Sequence, residues 1–115
     1  MNTSLPYSSD APTRAEVDRM DGRTVLEFGT NWCGVCRSAH RVIGQALTAQ
    51  AARAPLRHLK IEDGSGRPLG RSFGIKLWPT LVMLQDGREV ARVVRPTSAS
   101  AIADALALLD DGPPP

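Results

Sequence analysis

Both cysteines of this 115-residue chain lie three positions apart, in Trp32-Cys33-Gly34-Val35-Cys36, where one local pattern gives way to another. Before them, Thr24-Val25-Leu26-Glu27-Phe28 is β-branched and apolar and ends at Gly29, which suits a buried strand. After them, residues 33–53 hold no proline and little glycine. Ala39, Val42, Ile43, Ala46 and Leu47 recur there at helical spacing. A chain with this junction runs a strand into a long helix and sets its two sulfurs at the helix start. At that spacing the side chains are neighbours, roughly 5–6 Å apart, within the reach of a disulfide.

A crosslink enclosing about four residues would add only about 2 kcal/mol by the chain-entropy argument, against about 4.7 for a loop of about 100 residues. So small a gain points to a bond meant to be made and broken. Unpaired N–H groups and the positive end of the dipole favour a thiolate at Cys33. A helix start is also exposed, whereas Cys36 lies a turn further in. Cys33 is therefore assigned the attacking role, forming a mixed disulfide, and Cys36 the resolving role. Arg37 and Arg41 continue one face of the same helix and read as a solvated edge.

Residues 1–12 are polar with two prolines and read as an irregular arm or at most a short edge strand. Thr13 and Glu16 have capping-box spacing, with Val17 and Met20 as the apolar stripe of a short helix. Pro55 ends the long helix; residues 56–62 follow as an imperfectly alternating strand, then a turn and a short helix over 67–73. Residues 80–84 and 89–94 flank Asp86-Gly87, a strong hairpin signal. Ser98 or Ser100 caps a last helix carrying Ile102, Leu106 and Leu109. The order α, β, α, β, α, β, β, α predicts an α/β domain over residues 13–110, with a central mixed sheet of about four strands and helices on both faces. Residues 111–115 read as a disordered tail.

With Cys33 and Cys36, the strand Val25-Leu26-Glu27-Phe28 before them and Trp78-Pro79-Thr80 after them, the chain resembles the thioredoxin family over residues 13–109. The resemblance implies the thioredoxin fold and thiol–disulfide exchange with protein substrates. It implies that Trp78-Pro79 is a cis peptide facing the cysteines, and that the main chain before Pro79 binds an extended substrate segment by strand addition. Trp32, Gly34, Val35, Trp78, Pro79 and Thr80 are then the substrate-binding residues, with exposed apolar surface around Trp32, Gly34, Trp78 and Pro79 as the docking patch. Glu27 and Lys60 stand where the family keeps a buried acid and a lysine. A carboxyl in an apolar pocket has a raised pKa and can exchange the proton of the resolving thiol, with Lys60 tuning it. The chain departs from the family at Val35, Arg41 and Arg95, which replace two prolines and a glycine. Arg95 is expected to be simply exposed.

A net charge of +2 from 14 basic and 12 acidic residues argues for neither a nucleic-acid nor a membrane partner. No signal-peptide pattern or span of the roughly 20 apolar residues a bilayer needs is present, so a cytoplasmic monomer is expected. His40 lies one turn after Cys36 and His58 on the second strand, but four ligands at zinc spacing are lacking and no metal is expected. No nucleotide-binding loop is visible, so no cofactor is expected. Electrons would come from a thioredoxin-reductase-type donor or glutathione, and reduction is the expected direction. The competing readings are a metal or cluster carrier using Cys33, Cys36 and His40, and a redox-silent interaction module. Retention of the C-x-x-C pair argues mildly against the latter.

Overall fold

The computed structural model describes residues 6–109. Residues 111–115, read as a disordered tail, lie outside that range. Thr13 opens helix α1 (Arg14–Asp18) through a complete capping box. Its Oγ1 accepts the Glu16 N–H at 3.1 Å, and Glu16 Oε1 accepts the Thr13 N–H at 2.8 Å. Five residues are too few for a helix to persist alone. What holds α1 is Val17, fully buried, and Arg14, whose guanidinium lies 3.8 Å from the centroid of the Phe73 ring.

Strand β1 (Arg23–Gly29) is buried along its whole length, because it runs down the middle of the sheet. It pairs in parallel with β2 (Arg57–Glu62) on one side and antiparallel with β3 (Thr80–Gln85) on the other. Strand β4 (Arg88–Val94) closes the order β2-β1-β3-β4. The parallel pair needs a crossover, and α2 (Gly34–Arg53) supplies it. The hairpin turn has positive φ at Asp86 (52°) and Gly87 (81°), the conformation that an Asp-Gly pair accommodates. A Cβ at residue 87 would lie 2.2 Å from the Asp18 carbonyl oxygen, so only glycine lets the turn close against α1.

Strand periodicity divides the core into two layers. Val25, Leu81 and Met83 face α2 and α4 (Ala99–Leu106), meeting Ile43, Leu47, Ile102 and Leu106. Leu26, Phe28, Val82 and Leu84 face α1 and α3 (Pro68–Ser72), meeting Val17, Leu69 and Phe73. Each of these large side chains contributes about 1.5–3 kcal/mol by leaving water. This is the mixed four-strand sheet with helices on both faces that the element order predicts. Ser98 caps α4 by accepting the Ala101 N–H at 3.3 Å.

Two local differences matter for the site. Cys33 is the N-cap of α2 rather than part of its first turn, with extended backbone at φ −76° and ψ 118°. The arm before Thr13 is tied to the sheet: Ser8 makes a parallel bridge with Ile61, and Tyr7 is buried. The bridge lies along β2's open edge, and Ile61 is the residue of β2 that is buried.

Candidate active site

The period of two places Glu27 on the α2 side of the sheet, with Val25. The parallel register sets His58 opposite Val25 and Lys60 opposite Glu27, so all three polar side chains share that face. Tyr7, one residue before the Ser8 bridge, completes the group from the sheet edge. Its hydroxyl donates to Glu27 Oε2 at 2.5 Å, and His58 Nε2 lies 2.8 Å from Oε1. Lys60 Nζ is 4.0 Å from Oε2 and 4.6 Å from the Tyr7 ring centroid.

Glu27 therefore does not sit in an apolar pocket. Burial alone would raise its pKa, but hydrogen bonds from His58 and Tyr7 and the charges of Lys60 and His58 outweigh that, and the net shift is downward. The expectation of a raised carboxyl pKa is overturned, because the acid has acquired partners from two distant segments, the arm with Tyr7 and β2 with His58 and Lys60. Ionised, it only accepts hydrogen bonds, so His58 Nε2 carries the proton toward it.

The cysteines occupy the other end of the same face. The structure holds both as free thiols. Cys33 Sγ accepts the N–H of Cys36 at 3.2 Å, acting as the side-chain cap of α2. Burial pushes the Cys36 thiol up to about 11, aided by the hydrogen bond to Cys33. Cys33 was expected to be exposed; instead it is 8% exposed against 3% for Cys36. The order holds, but Trp78 packs over the cluster of Tyr7, Cys33 and Cys36 and shades both sulfurs.

Trp32 stands 74% exposed and meets Trp78 edge-on, with centroids 5.6 Å apart. Asp63 Oδ2 accepts the Trp78 Nε1–H at 2.9 Å and fixes that indole. The Trp78–Pro79 peptide is cis. The exposed apolar surface here consists of Trp32, Val35 and Leu77 beside the exposed Gly34, while Pro79 and Thr80 are buried. Arg95 is exposed as expected, yet it is not idle. Its Nε donates to the Trp78 carbonyl at 2.9 Å and its N–H to the Pro79 carbonyl at 2.8 Å, with φ at 51°. One of the two acceptor positions of the Trp78 oxygen is thus already taken.

Sequence reasoning brings Cys33, Cys36, Trp32 and Trp78 together correctly but misses Tyr7, Asp63 and the link from His58 to Glu27. The available signal for Tyr7 was its being the only tyrosine, placed in an otherwise polar arm. Arg37 and Arg41 are exposed, and His40 is half-buried beside Cys36 on a small groove. Among the described residues no group of three or more His, Cys, Asp or Glu side chains is placed to hold a metal ion. No helix there is long and apolar enough to cross a membrane.

A family model described as Thioredoxin matches residues 7–108. The thioredoxin of Chlamydia muridarum is 37% identical over 73 residues, covering 64% of this chain and 69% of that protein. The thioredoxin of Rhodospirillum rubrum is 28% identical over 83 residues, 72% of this chain and 78% of its own. Among solved structures, thioredoxin 2 from Pseudomonas aeruginosa PAO1 in its reduced form is 52% identical with a TM-score of 0.80, covering 91% of this chain and 95% of that one.

Proposed function

Since the chain belongs to the thioredoxin family and is a thiol–disulfide oxidoreductase, we propose that it reduces disulfides in protein substrates with Cys33 as nucleophile and Cys36 as resolving thiol. The observation that carries this assignment is the cap: Cys33 Sγ receives the amide of Cys36, the third residue of a 20-residue helix, so charge arising on that sulfur meets a donor and the positive end of a dipole.

Cys33 attacks one sulfur of the substrate disulfide; the other sulfur leaves with the bonding electron pair. Cys36, once deprotonated, attacks Cys33 Sγ, closes the Cys33–Cys36 disulfide and expels the second substrate sulfur. Glu27 receives the proton in this scheme, and Lys60, 4.0 Å away, tunes it. Trp32, Gly34 and Val35 provide the apolar landing surface, joined by Leu77. The substrate segment lies along Trp78, Pro79 and Thr80, pairing with main chain whose Trp78 carbonyl is held by Arg95. A thioredoxin-reductase-type enzyme or glutathione restores the dithiol, and the protein works in the cytoplasm as a monomer.

The test is trapping. Cys33→Ser abolishes turnover, whereas Cys36→Ser accumulates mixed disulfides with substrate on Cys33. Wild-type turnover by Cys36→Ser would overturn the division of roles.

A further inference from the structure

Among the described residues, positive φ outside glycine occurs at Asp86 and Arg95. Asp86 belongs to the hairpin turn, where aspartate tolerates it. Arg95, at 51°, is a long side chain in a conformation that glycine adopts freely and arginine only under constraint. The constraint is a double tether. Its N–H donates to the Pro79 carbonyl at 2.8 Å and its Nε to the Trp78 carbonyl at 2.9 Å, so one residue bonds two consecutive carbonyls. Glycine would keep the first bond without strain; only the second needs the arginine. That second bond fixes the guanidinium beside Trp78, the residue that packs over Cys33 and Cys36. A strained backbone held by its own side chain points to a use for that side chain.

The charge carried there has no counter-ion. Arg14, Arg67 and Arg92 lie against Asp18, Glu62 and Glu89. Arg95 is exposed and forms no ion pair among the described residues. The Trp78 oxygen uses one of its five N–H groups. The four on the Nη pair have no partner among the described residues, and they form a planar fork that matches a carboxylate. Asp63, the acid beside Trp78, is already bonded to the indole, and Arg37, on the groove beside Cys36, adds positive potential.

We propose that Arg95 is a specificity-determining residue that selects disulfides flanked by an acidic residue, its Nη fork holding that carboxylate while the disulfide meets Cys33. The inference rests on the reading that the protein reduces disulfides of protein substrates through Cys33. A substrate sulfur reaches Cys33 past Trp78, and an extended segment advances about 3.3 Å per residue. The residues next to the substrate cysteine are therefore the ones carried past a guanidinium bonded to the Trp78 main chain. A carboxylate at that place is attracted and held, and an ammonium is repelled.

Three peptides, each closed by one disulfide and identical except for Glu, Gln or Lys on either side of the first cysteine, are mixed in excess with the reduced protein in single turnover. Each second-order rate constant is divided by that for dithiothreitol, which removes the effect of the flanking charge on the disulfide itself. At about 20 mM ionic strength the Glu peptide exceeds the Gln peptide by about fivefold, and the Lys peptide falls about as far below it. In about 0.5 M sodium chloride both ratios shrink to less than about twofold, a result needing no variant to fold. Arg95→Gln does the same at low salt, as does Arg95→Gly, whose backbone is relaxed at φ 51°. A purely structural bond to the Trp78 carbonyl would lower all three rates by one factor and leave the ratios unchanged. Wild-type ratios in both variants, or equal normalised constants for the three peptides with the wild type, would therefore overturn selection by Arg95 while leaving disulfide reduction intact. Failure of the wild type to reduce any of the peptides would instead overturn disulfide reduction itself, and this inference with it.

Discussion

Gly29→Ala adds one methyl group at the point where β1, the arm and α2 meet. The new carbon would lie 2.7 Å from Cys36 Sγ, 2.7 Å from Tyr7 Cζ and 2.8 Å from Tyr7 Oη. None of these atoms is the loose end of a long side chain. Cys36 sits in the first turn of α2, and the Tyr7 ring is pinned by Glu27 and covered by Lys60. Overpacking a well-filled site costs about 1–3 kcal/mol, and three simultaneous contacts place this case in the upper half, about 2–3 kcal/mol. For a domain of this size, roughly 4 °C of midpoint per kcal/mol converts that to a fall of about 8–12 °C. Urea and thermal unfolding followed by circular dichroism measure it. Gly34→Ala is the control, since nothing lies within 4 Å of its added carbon, and its stability stays within about 0.5 kcal/mol of wild type. If Gly29→Ala matched the control with an unchanged denaturant slope, the close approach of Tyr7 to Cys36 would be refuted.

Acid stability depends on Glu27: its folded pKa lies below the ordinary 4.5, so its contribution is complete above 4.5 and is lost as pH falls through the folded value. Glu27→Gln should lower stability at neutral pH by roughly 2 kcal/mol and flatten that acid slope, as read from unfolding midpoints between about pH 2 and pH 7. At Arg95, with φ at 51°, Ala retains a left-handed conformation without the guanidinium bond, whereas Gly relieves it. Urea unfolding should place Arg95→Gly above Arg95→Ala by about 1 kcal/mol, and the reverse order would show that the backbone there is not strained. Asp63→Ala removes the acceptor of the Trp78 indole. It should raise KM for a protein disulfide while leaving the rate of Cys33 alkylation within about twofold. Equal loss in both would mean that Asp63 supports the fold rather than the groove.

The parts that local chemistry governs were legible at once. The Thr13–Glu16 box, the Asp86-Gly87 turn, the apolar period of α2 and the Cys33/Cys36 spacing each involve residues within a turn or two of one another. Their energetics depend little on what else is near, so element order, the mixed sheet and the place of the sulfurs followed from the chain alone. The exposure of Cys33 was misjudged for the opposite reason. A helix start is open in isolation, and it is the packing of Tyr7 and Trp78, both from remote segments, that covers it.

The protonation chemistry belongs wholly to the tertiary structure. Tyr7, Glu27 and His58 come from three segments, 20 and 31 residues apart from Glu27, and meet only because an edge bridge and a parallel register set them on one sheet face. A carboxyl's pKa is the balance of desolvation against donors that surround it in space, and no run of neighbouring letters contains that sum. Read along the chain, Glu27 was an acid among apolar residues and so a proton holder. Folded, it is an anion whose donors include the chain's single tyrosine.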